Sequence, residues 1–406
     1  MTLQDTTEQV ELSGAAVIFM SVAAALGTST LYVLQPSVAE VAGSLGSPIG
    51  DIGLALACGP IGYLLGLLVL TPLVDRFSPR RVLGAQFLAL AVTLAATATV
   101  QDVPLLGLLI AITGTSSVVG SGMSSIVGRL AAPHRRGTTL GIVTSGISAG
   151  IIGGRIVGGF LADHFGWRAT LLIFAAANAG LALLCVRLLT NSRAAVSGSV
   201  LATIRSIPGL FVRHPALRSA ALRGALWFFA FCTIWSGLAV ALAEPPFSYS
   251  PERIGFYGLA GLSGIAATQV AGRWTDRVGA RKVILAGLAL AVAATVIGAA
   301  TLHLPAVTMV CLALFDAGLF AAQVANQSTV LAIDPSAPAR LNGGYMVVYF
   351  VGGSLGTAYG PSAVAWFGWG ITALTTVAAM LIAALLTILS RSRGRRNHEA
   401  GHSLSG

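Results

Sequence analysis

Two charged side chains stand inside long apolar stretches of this 406-residue chain, Arg155 and Asp316. A carboxylate at bilayer depth costs about 2.5–3.5 kcal/mol on insertion scales, so such residues usually mark a functional path. Desolvation can bring proton exchange by a carboxylate into the physiological pH range, which makes Asp316 a candidate proton carrier. The structural alternative is a carboxylate permanently hydrogen-bonded to a neighbouring helix.

A charged cluster repeats at half the length of the chain. The stretch 75–81, Asp-Arg-Phe-Ser-Pro-Arg-Arg, returns 201 residues later at 276–282 as Asp-Arg-Val-Gly-Ala-Arg-Lys. The triplet Phe-Gly-Trp at 165–167 returns 202 residues later at 367–369. A nearly constant offset across separate elements indicates a duplicated bundle, an arrangement typical of one class of secondary transporter.

Arg155 has no charged counterpart in this repeat, because Thr357 stands at the equivalent position. This asymmetry favours a role in substrate binding or coupling, because a charge that only supports the structure would be needed in both copies. Arg155 cannot lose its proton in a protein, so it must be paired, hydrated or bound to substrate. It could form a fixed ion pair with Asp316 or offer an anionic substrate a bidentate contact. We predict that both residues take part in proton coupling.

The elements that must position these side chains are membrane-spanning helices. The chain is 55% hydrophobic and 9% charged. Uncharged runs such as 53–74, 82–101 and 283–315 exceed the roughly 18 residues that mark a membrane helix. A β-barrel is excluded because the apolar stretches are continuous and do not alternate. The sequence predicts an all-α membrane protein of twelve transmembrane helices in two pseudo-symmetric six-helix halves.

The predicted organisation has two bundles and three other segments. The first bundle covers 14–189, with helices at about 14–36, 51–74, 82–101, 103–130, 137–162 and 168–189. The second covers 218–390, with helices at about 218–244, 252–274, 282–301, 304–332, 340–365 and 369–390. Residues 190–217 are predicted to be an amphipathic cytoplasmic linker, because apolar residues recur there at helical spacing beside basic ones. Residues 1–13 and 391–406 are predicted to be cytoplasmic tails, the second of them basic.

The net charge of +10 has a one-sided distribution. Of the 24 lysines and arginines, 21 fall in predicted loops on one side or in the tail, at 75–81, 129–136, 187–223, 273–282, 340 and 391–396. This asymmetry is the positive-inside rule, which predicts that both termini are cytoplasmic. Nucleic-acid binding is therefore excluded as the reason for the basic charge.

No catalytic motif stands out in the sequence, which has no Walker glycine loop, His-Glu-x-x-His motif or nucleophile elbow. The four cysteines lie well apart inside predicted helices and lack disulfide or metal-ligand spacing. We predict no enzymatic activity, no cofactor and no metal site.

The second charged cluster carries a resemblance to the major facilitator superfamily. Residues 272–282 fit the signature of that family, Gly-x-Leu-x-Asp-Arg-x-Gly-Arg-Lys between helices two and three. The first copy keeps the charged positions but has Thr71 and Ser78 where glycines are usual. The motifs at 32–36, 136–137 and 166–167 are similar to those of twelve-helix bacterial drug and metabolite exporters.

Two positions depart from the exporter pattern. Ile110 stands where many proton-driven drug exporters have an arginine, and 150–154 lacks the proline of their helix-five antiporter motif. The resemblance implies a monomeric secondary transporter of the bacterial inner membrane, working by alternating access, that exchanges protons for an exported small organic molecule. The alternatives are a proton-coupled importer of a small organic anion and, less well supported, a non-transporting membrane sensor.

Helices one, four, seven and ten line the central cavity in this superfamily. Their polar and aromatic residues, together with Arg155, are therefore the predicted substrate contacts, although aromatic stripes more often serve packing and serines can simply permit close helix contact. The set is Thr28, Tyr32, Gln35, Thr113, Ser117, Arg155, Trp227, Phe231, Trp235, Gln323 and Asn326.

The resemblance also implies a cytoplasmic gate, in which Asp75 and Asp276 hold the ends of the halves together in the outward-open state. Arg129 and Arg340 are the expected partners of these carboxylates. The alternative is that the clusters only mark topology. The predicted gate residues are Asp75, Arg76, Arg80, Arg81, Arg129, Asp276, Arg277, Arg281, Lys282 and Arg340.

Overall fold

The computed structural model of the protein describes residues 13–132, 135–189, 200–334 and 337–403. The described residues are helical almost throughout and contain no strand. The first group of helices is α1 (Gly14–Ser29), α2 (Val38–Leu45), α3 (Ile49–Arg76), α4 (Pro79–Thr97), α5 (Val103–Ser116), α6 (Val119–Leu130) and α7 (Arg136–Leu188). The second is α8 (Val200–Arg213), α9 (Pro215–Ala243), α10 (Pro251–Phe256), a 3₁₀ helix (Tyr257–Gly261), α11 (Leu262–Val278), α12 (Ala280–Ala300), α13 (Pro305–Leu331) and α14 (Pro338–Ser403).

Eight helical stretches of the described residues are long and apolar enough to cross a membrane. Two of them, within α7 and α14, are 53 and 51 residues long and bend at Gly166 and Gly368. An all-helical membrane bundle follows from these lengths, and it is compatible with the predicted twelve helices.

The repeated Phe-Gly-Trp triplet forms the corner between two consecutive long helices in each half. Gly166 and Gly368 have φ angles of 80° and 75°, a backbone conformation that only glycine adopts without strain. The indole N–H of Trp369 donates to the carbonyl oxygen of Gly298 (2.9 Å), and that of Trp167 donates to Ser44 (2.9 Å). The triplet therefore fixes a bend and anchors it to a neighbouring element.

The two charged clusters differ in the turn that follows the helix. In the second copy Gly279 has a φ of 88°, whereas Ser78 at the equivalent position has a φ of −59°. The first turn instead enters α4 through Pro79, which suits the first position of a helix. The missing glycine of the first copy is thus explained by a turn that does not need one.

Two of the predicted helices are divided in the structure, and a hydroxyl that bonds back to the backbone stands at each break. The hydroxyl of Ser117 donates to the carbonyl oxygen of Thr113 (2.7 Å), and the run 103–130 is split at this point into α5 and α6. Thr30 bonds back to Gly27 in the same way (2.7 Å), just after α1 ends and before Pro36. The short helix α2 that follows was not predicted.

The predicted linker and tails lie partly outside the described residues. Residues 1–12, 190–199 and 404–406 are among those that the structure does not describe. Residues 200–213 form α8, and residues 391–403 continue α14. The division into tails, bundles and linker stays a prediction.

The two halves meet through α3 against α14 and through α7 against α10. A methyl group added to Gly255 would lie 2.6 Å from the carbonyl oxygen of Arg155, and one added to Gly53 would lie 2.9 Å from Pro361. Gly159 faces the carbonyl oxygen of Pro251 still more closely. We call this the closed end. The opposite end, where α3 and α11 finish near Asp75 and Asp276, is the charged end.

Gly255→Ala should loosen the closed end, because the new methyl group meets backbone rather than a flexible side chain. Overpacking of this kind costs about 1–3 kcal/mol. We expect a cysteine placed at Ser362, which is buried at the closed end, to react with a maleimide about tenfold faster in this variant. Gly272→Ala is the matched control, because no atom outside its own helix lies within 4 Å of that position. Equal labelling in both variants would contradict the close contact.

Glu40 of α2 caps the second part of α7. Its Oε1 accepts from the backbone N–H of Trp167 (3.2 Å), the first residue after the Gly166 bend. Burial raises the pKa of Glu40 above its ordinary value; the Trp167 N–H opposes this shift, Asp163 adds to it and Arg168 opposes it. The carboxylate therefore lies at a helix start, which favours a hydrogen-bond acceptor, but its burial disfavours the ionised form.

Because folding raises this pKa, the contribution of Glu40 to stability is greatest at low pH. It is lost as the pH rises from the ordinary value of 4.5 through the raised folded value. Glu40→Gln keeps an acceptor and cannot ionise, so the melting temperature of the wild type should fall relative to this variant over that window. Glu40→Ala loses the cap, worth about 1 kcal/mol, and should melt lower at every pH. If the melting temperature of the wild type instead rises relative to that of Glu40→Gln as the pH increases, the assignment is contradicted.

Candidate functional site

A cavity of about 200 Å³ lies between the two halves. Seven of the eleven predicted substrate contacts line it, namely Thr28, Tyr32, Gln35, Arg155, Trp227, Phe231 and Trp235. The structure adds an aromatic lining that the sequence analysis missed, consisting of Tyr63, Phe228, Phe320, Tyr349 and Phe350. Three of these added residues lie on α3 and α14, helices that the family pattern does not assign to the cavity. Phe320 follows Asp316 by four residues and so lies on the same face of the helix. From that spacing its place near Asp316 could have been predicted.

Arg155 is 3% exposed, and its hydrogen-bond and stacking partners are neutral groups. Its Nε donates to Oε1 of Gln35 (2.7 Å), and its guanidinium carbon lies 4.2 Å from the ring centroid of Trp235 and 5.0 Å from that of Tyr32. Stacking on aromatic faces stabilises a cation without neutralising it. Among the described residues, the buried Nη2 of Arg155 has no hydrogen-bond partner. Part of the guanidinium is therefore free to bind a ligand.

Asp316 is 1% exposed and contacts the same tryptophan, Trp235. The indole N–H of Trp235 donates to Oδ1 of Asp316 (3.1 Å), while the ring of the same residue stacks on Arg155. Within the described residues no ion pair shorter than 4.0 Å joins Arg155 to Asp316. The fixed ion pair, one of the two arrangements open from the sequence, is therefore not formed in this structure.

A smaller cavity of about 40 Å³ connects the two charged residues. Arg155, Asp316 and the rings of Phe231 and Phe320 line it. Its remaining wall includes Gly261, at the end of the 3₁₀ helix that interrupts the predicted helix 252–274. A mid-helix 3₁₀ segment often marks a hinge, and this one lies directly beside both buried charges.

Four predicted substrate contacts do not line the main cavity. Thr113 donates to Thr93 of α4 (3.1 Å), and Ser117 shares a hydrogen bond with Thr30 (2.7 Å). Both hydroxyls thus bond within the first half, Thr113 to α4 and Ser117 to the residue that follows α1. Gln323 and Asn326 instead belong to a buried hydrogen-bond network in the second half.

That network contains an arginine which the sequence analysis assigned to a loop. Arg223 was counted with the basic loop 187–223, but it lies inside α9 and is 7% exposed. Its Nε donates to Oδ1 of Asn326 (3.0 Å). The hydroxyl of Tyr345 donates to Oε1 of Gln323 (2.6 Å) and lies 3.4 Å from the Asn326 amide nitrogen. A basic residue near a helix start resembles a loop charge in sequence, so only the helix boundary reveals its burial.

The predicted gate residues lie at the charged end. Asp75 accepts from the hydroxyl of Ser125 and lies 3.4 Å from Nε of Arg129, its expected partner. All three residues belong to the first half, so this ion pair does not join the halves in the present state. Asp276 and Arg340 are exposed, and no hydrogen bond or ion pair between them occurs in the described residues.

The basic members of the gate set are mostly solvated. Arg281 donates to the carbonyl oxygen of Ile388 (3.3 Å) and so contacts α14. The others, Arg76, Arg80, Arg81, Arg277 and Lys282, are exposed or half-buried. Their roles in gating stay predictions.

One surface group has the composition of a metal site. Asp163, His164 and Glu252 each bring a ligand atom within 4.8 Å of the others, near the closed end. Asp163 and His164 are exposed, and the group lies outside the central cavity.

The sequence matches the family model of the Major Facilitator Superfamily over residues 17–252 and 226–404. The chain belongs to the major facilitator superfamily. The uncharacterized transporter YgaY of Escherichia coli O157:H7 is 31% identical over 405 residues, covering 97% of this chain and 98% of the relative. The probable transporter SCO4007 of Streptomyces coelicolor is 30% identical over 347 residues, 85% of this chain and 80% of the relative.

Solved structures show the same superfamily fold. A mutant of the nucleoside transporter NupG aligns with a TM-score of 0.76 at 14% identity, covering 92% of this chain and 99% of the other. Membership of the superfamily makes this chain a multi-pass transporter of the bacterial inner membrane rather than an enzyme, with a small molecule as its substrate.

Proposed function

We propose that this superfamily member is a proton-coupled secondary transporter that works by alternating access around the Arg155–Asp316 site. The observation that carries the proposal is that Trp235 contacts both buried charges while no ion pair joins them within the described residues. A carboxylate without a fixed cation can bind and release a proton. A guanidinium without a fixed anion can bind and release a substrate.

Electrostatic coupling between the two groups favours co-transport. Their charges interact across the gap between them, so an anion on Arg155 makes an ionised Asp316 less favourable. Proton and anion then assist each other in binding, and this assistance is reciprocal. Export by proton exchange, favoured by the sequence resemblance, instead requires that substrate and proton compete. The geometry thus supports the sequence alternative, a proton-coupled importer of a small organic anion.

Exchange of protons for an exported molecule is the second candidate. It is favoured by the wide aromatic wall of the cavity, since Trp227, Phe231 and Tyr349 would accommodate a large apolar body. We expect the chain to act as a monomer, with both termini cytoplasmic and the charged clusters serving as the cytoplasmic gate.

Proton flux in liposomes distinguishes these proposals. The reconstituted protein would be offered impermeant organic anions, such as succinate and benzenesulfonate, and amphipathic cationic drugs, while a dye follows internal pH. We expect at least one anion to carry protons in its own direction. Asp316→Asn should abolish that proton movement, whereas Asp51→Asn, at an exposed position in the first turn of α3, should retain it.

Proton movement opposite to that of a drug would support the exporter. Proton flux that survives unchanged in Asp316→Asn would contradict the assignment of Asp316 as the proton carrier. Substrate flux without any proton movement would exclude proton coupling altogether.

A further inference from the structure

The buried charges of this protein do not balance. Three charged side chains are buried in the described part of the chain, Arg155, Arg223 and Asp316. Their sum is one positive charge when Asp316 is ionised and two when it carries a proton. Because a buried charge without a counterion is costly, such an interior is suited to receive an anion.

Arg223 stands at one end of a row of hydrogen bonds between α9 and α13, which we call the polar seam. The seam consists of the pairs Trp235–Asp316 (3.1 Å), Trp227–Gln323 (3.0 Å) and Arg223–Asn326 (3.0 Å). The two helices are antiparallel along the seam, so residue numbers fall along α9 as they rise along α13. Asp316 lies at one end of the seam and Arg223 at the other. At 1.5 Å per residue, Arg223 lies about 18 Å along α9 from Trp235.

The α9 side of the seam leads from the wall of the central cavity towards the charged end. Trp227, Phe231 and Trp235 all line the cavity, and Arg223 lies one helical turn before Trp227. α9 finishes close to Pro251 at the closed end, because the backbone N–H of Tyr249 donates to Leu242 (2.8 Å). The beginning of α9, and Arg223 with it, therefore points towards the other end of the bundle.

A structural role does not account for the charge of Arg223. Asn326 already ties α13 to α9, since its amide donates to the carbonyl oxygen of Ala220 (2.9 Å). In the described part of the chain only the Nε of Arg223 is hydrogen-bonded, and its partner is a neutral amide. The terminal nitrogens of the guanidinium present the fork that carboxylates match, and they have no acceptor among the described residues.

We propose that Arg223 is a second anion-binding station, which holds the substrate between the charged end and Arg155. The inference rests on the proposed function and specifies its substrate class, an organic anion with an aromatic body. The acidic group would pass from one guanidinium to the other, and the ring would contact Trp227 and Phe231 on the way. The station at Arg155 lies beside the proton carrier, whereas the station at Arg223 lies away from it.

Fluorescence quenching tests this station on the solubilised protein. 4-Iodobenzoate quenches a tryptophan that it contacts through its heavy atom, and Trp227 lies one turn from Arg223. The difference in quenching between the wild type and Trp227→Phe is the contribution of Trp227. We expect that signal to saturate with 4-iodobenzoate and not with neutral 4-iodobenzamide. Its midpoint should rise about tenfold in Arg223→Gln, which corresponds to the loss of one charge-assisted contact.

Arg218→Gln is the matched control, because Arg218 lies on α9 at an exposed position. It should leave the midpoint unchanged. An unshifted midpoint in Arg223→Gln, or equal quenching by the benzamide, would overturn the proposal. If Arg223→Gln does not fold, Arg223→Lys keeps the charge without the fork and should shift the midpoint by a smaller amount. Displacement of the probe from wild type by benzenesulfonate but not by benzenesulfonamide is then also expected, and its absence overturns the proposal.

The binding test and the flux test can fail independently. Quenching requires neither a proton gradient nor transport, so a missing station at Arg223 would leave proton-coupled transport through Arg155 intact. Conversely, saturable binding at Trp227 together with proton-independent flux would retain the station and reject the coupling.

Discussion

The contact on which the site depends is that of Trp235 with two opposite charges. Its ring stacks on the guanidinium of Arg155, and its N–H donates to the carboxylate of Asp316. A direct ion pair would lock both groups, since breaking a buried pair typically costs about 3–5 kcal/mol. An aromatic residue that contacts both charges stabilises each of them more weakly than an ion pair would, so either group is easier to separate from its partner. In the proposed function, Asp316 exchanges a proton and Arg155 binds an anion within one small volume.

The glycines of the interface place this site where a conformational change can reach it. Gly255 packs against the backbone of Arg155 itself, and Gly261 faces Asp316 from the same side. The 3₁₀ helix between them belongs to the second half, whereas Arg155 belongs to the first. A separation of the halves at the closed end must therefore alter the surroundings of both charges. In the proposed alternating-access cycle, this contact links binding at the site to movement of the halves.

The sequence was most informative where a single residue type has only one physical explanation. A carboxylate in an apolar run, as at Asp316, and the repeated Phe-Gly-Trp triplet can be recognised without coordinates, whereas the positive φ of Gly166 and Gly368 is known only from the structure. The burial of Arg223 could not be recognised, because it depends on a helix boundary that shifts a charge from loop to interior. The bridging role of Trp235 depends on the rotation of α9 relative to α7 and α13, and packing alone determines that rotation.

The central claim is that Asp316 exchanges a proton because Arg155 does not hold it as an ion pair. Infrared difference spectra of the membrane-reconstituted protein, recorded between acidic and alkaline buffer, test this claim directly. We predict a carboxylic C=O band on acidification that is present in the wild type and in Asp51→Asn and is missing in Asp316→Asn. A wild-type spectrum identical to that of Asp316→Asn would contradict the account, because Asp316 would then keep one protonation state throughout.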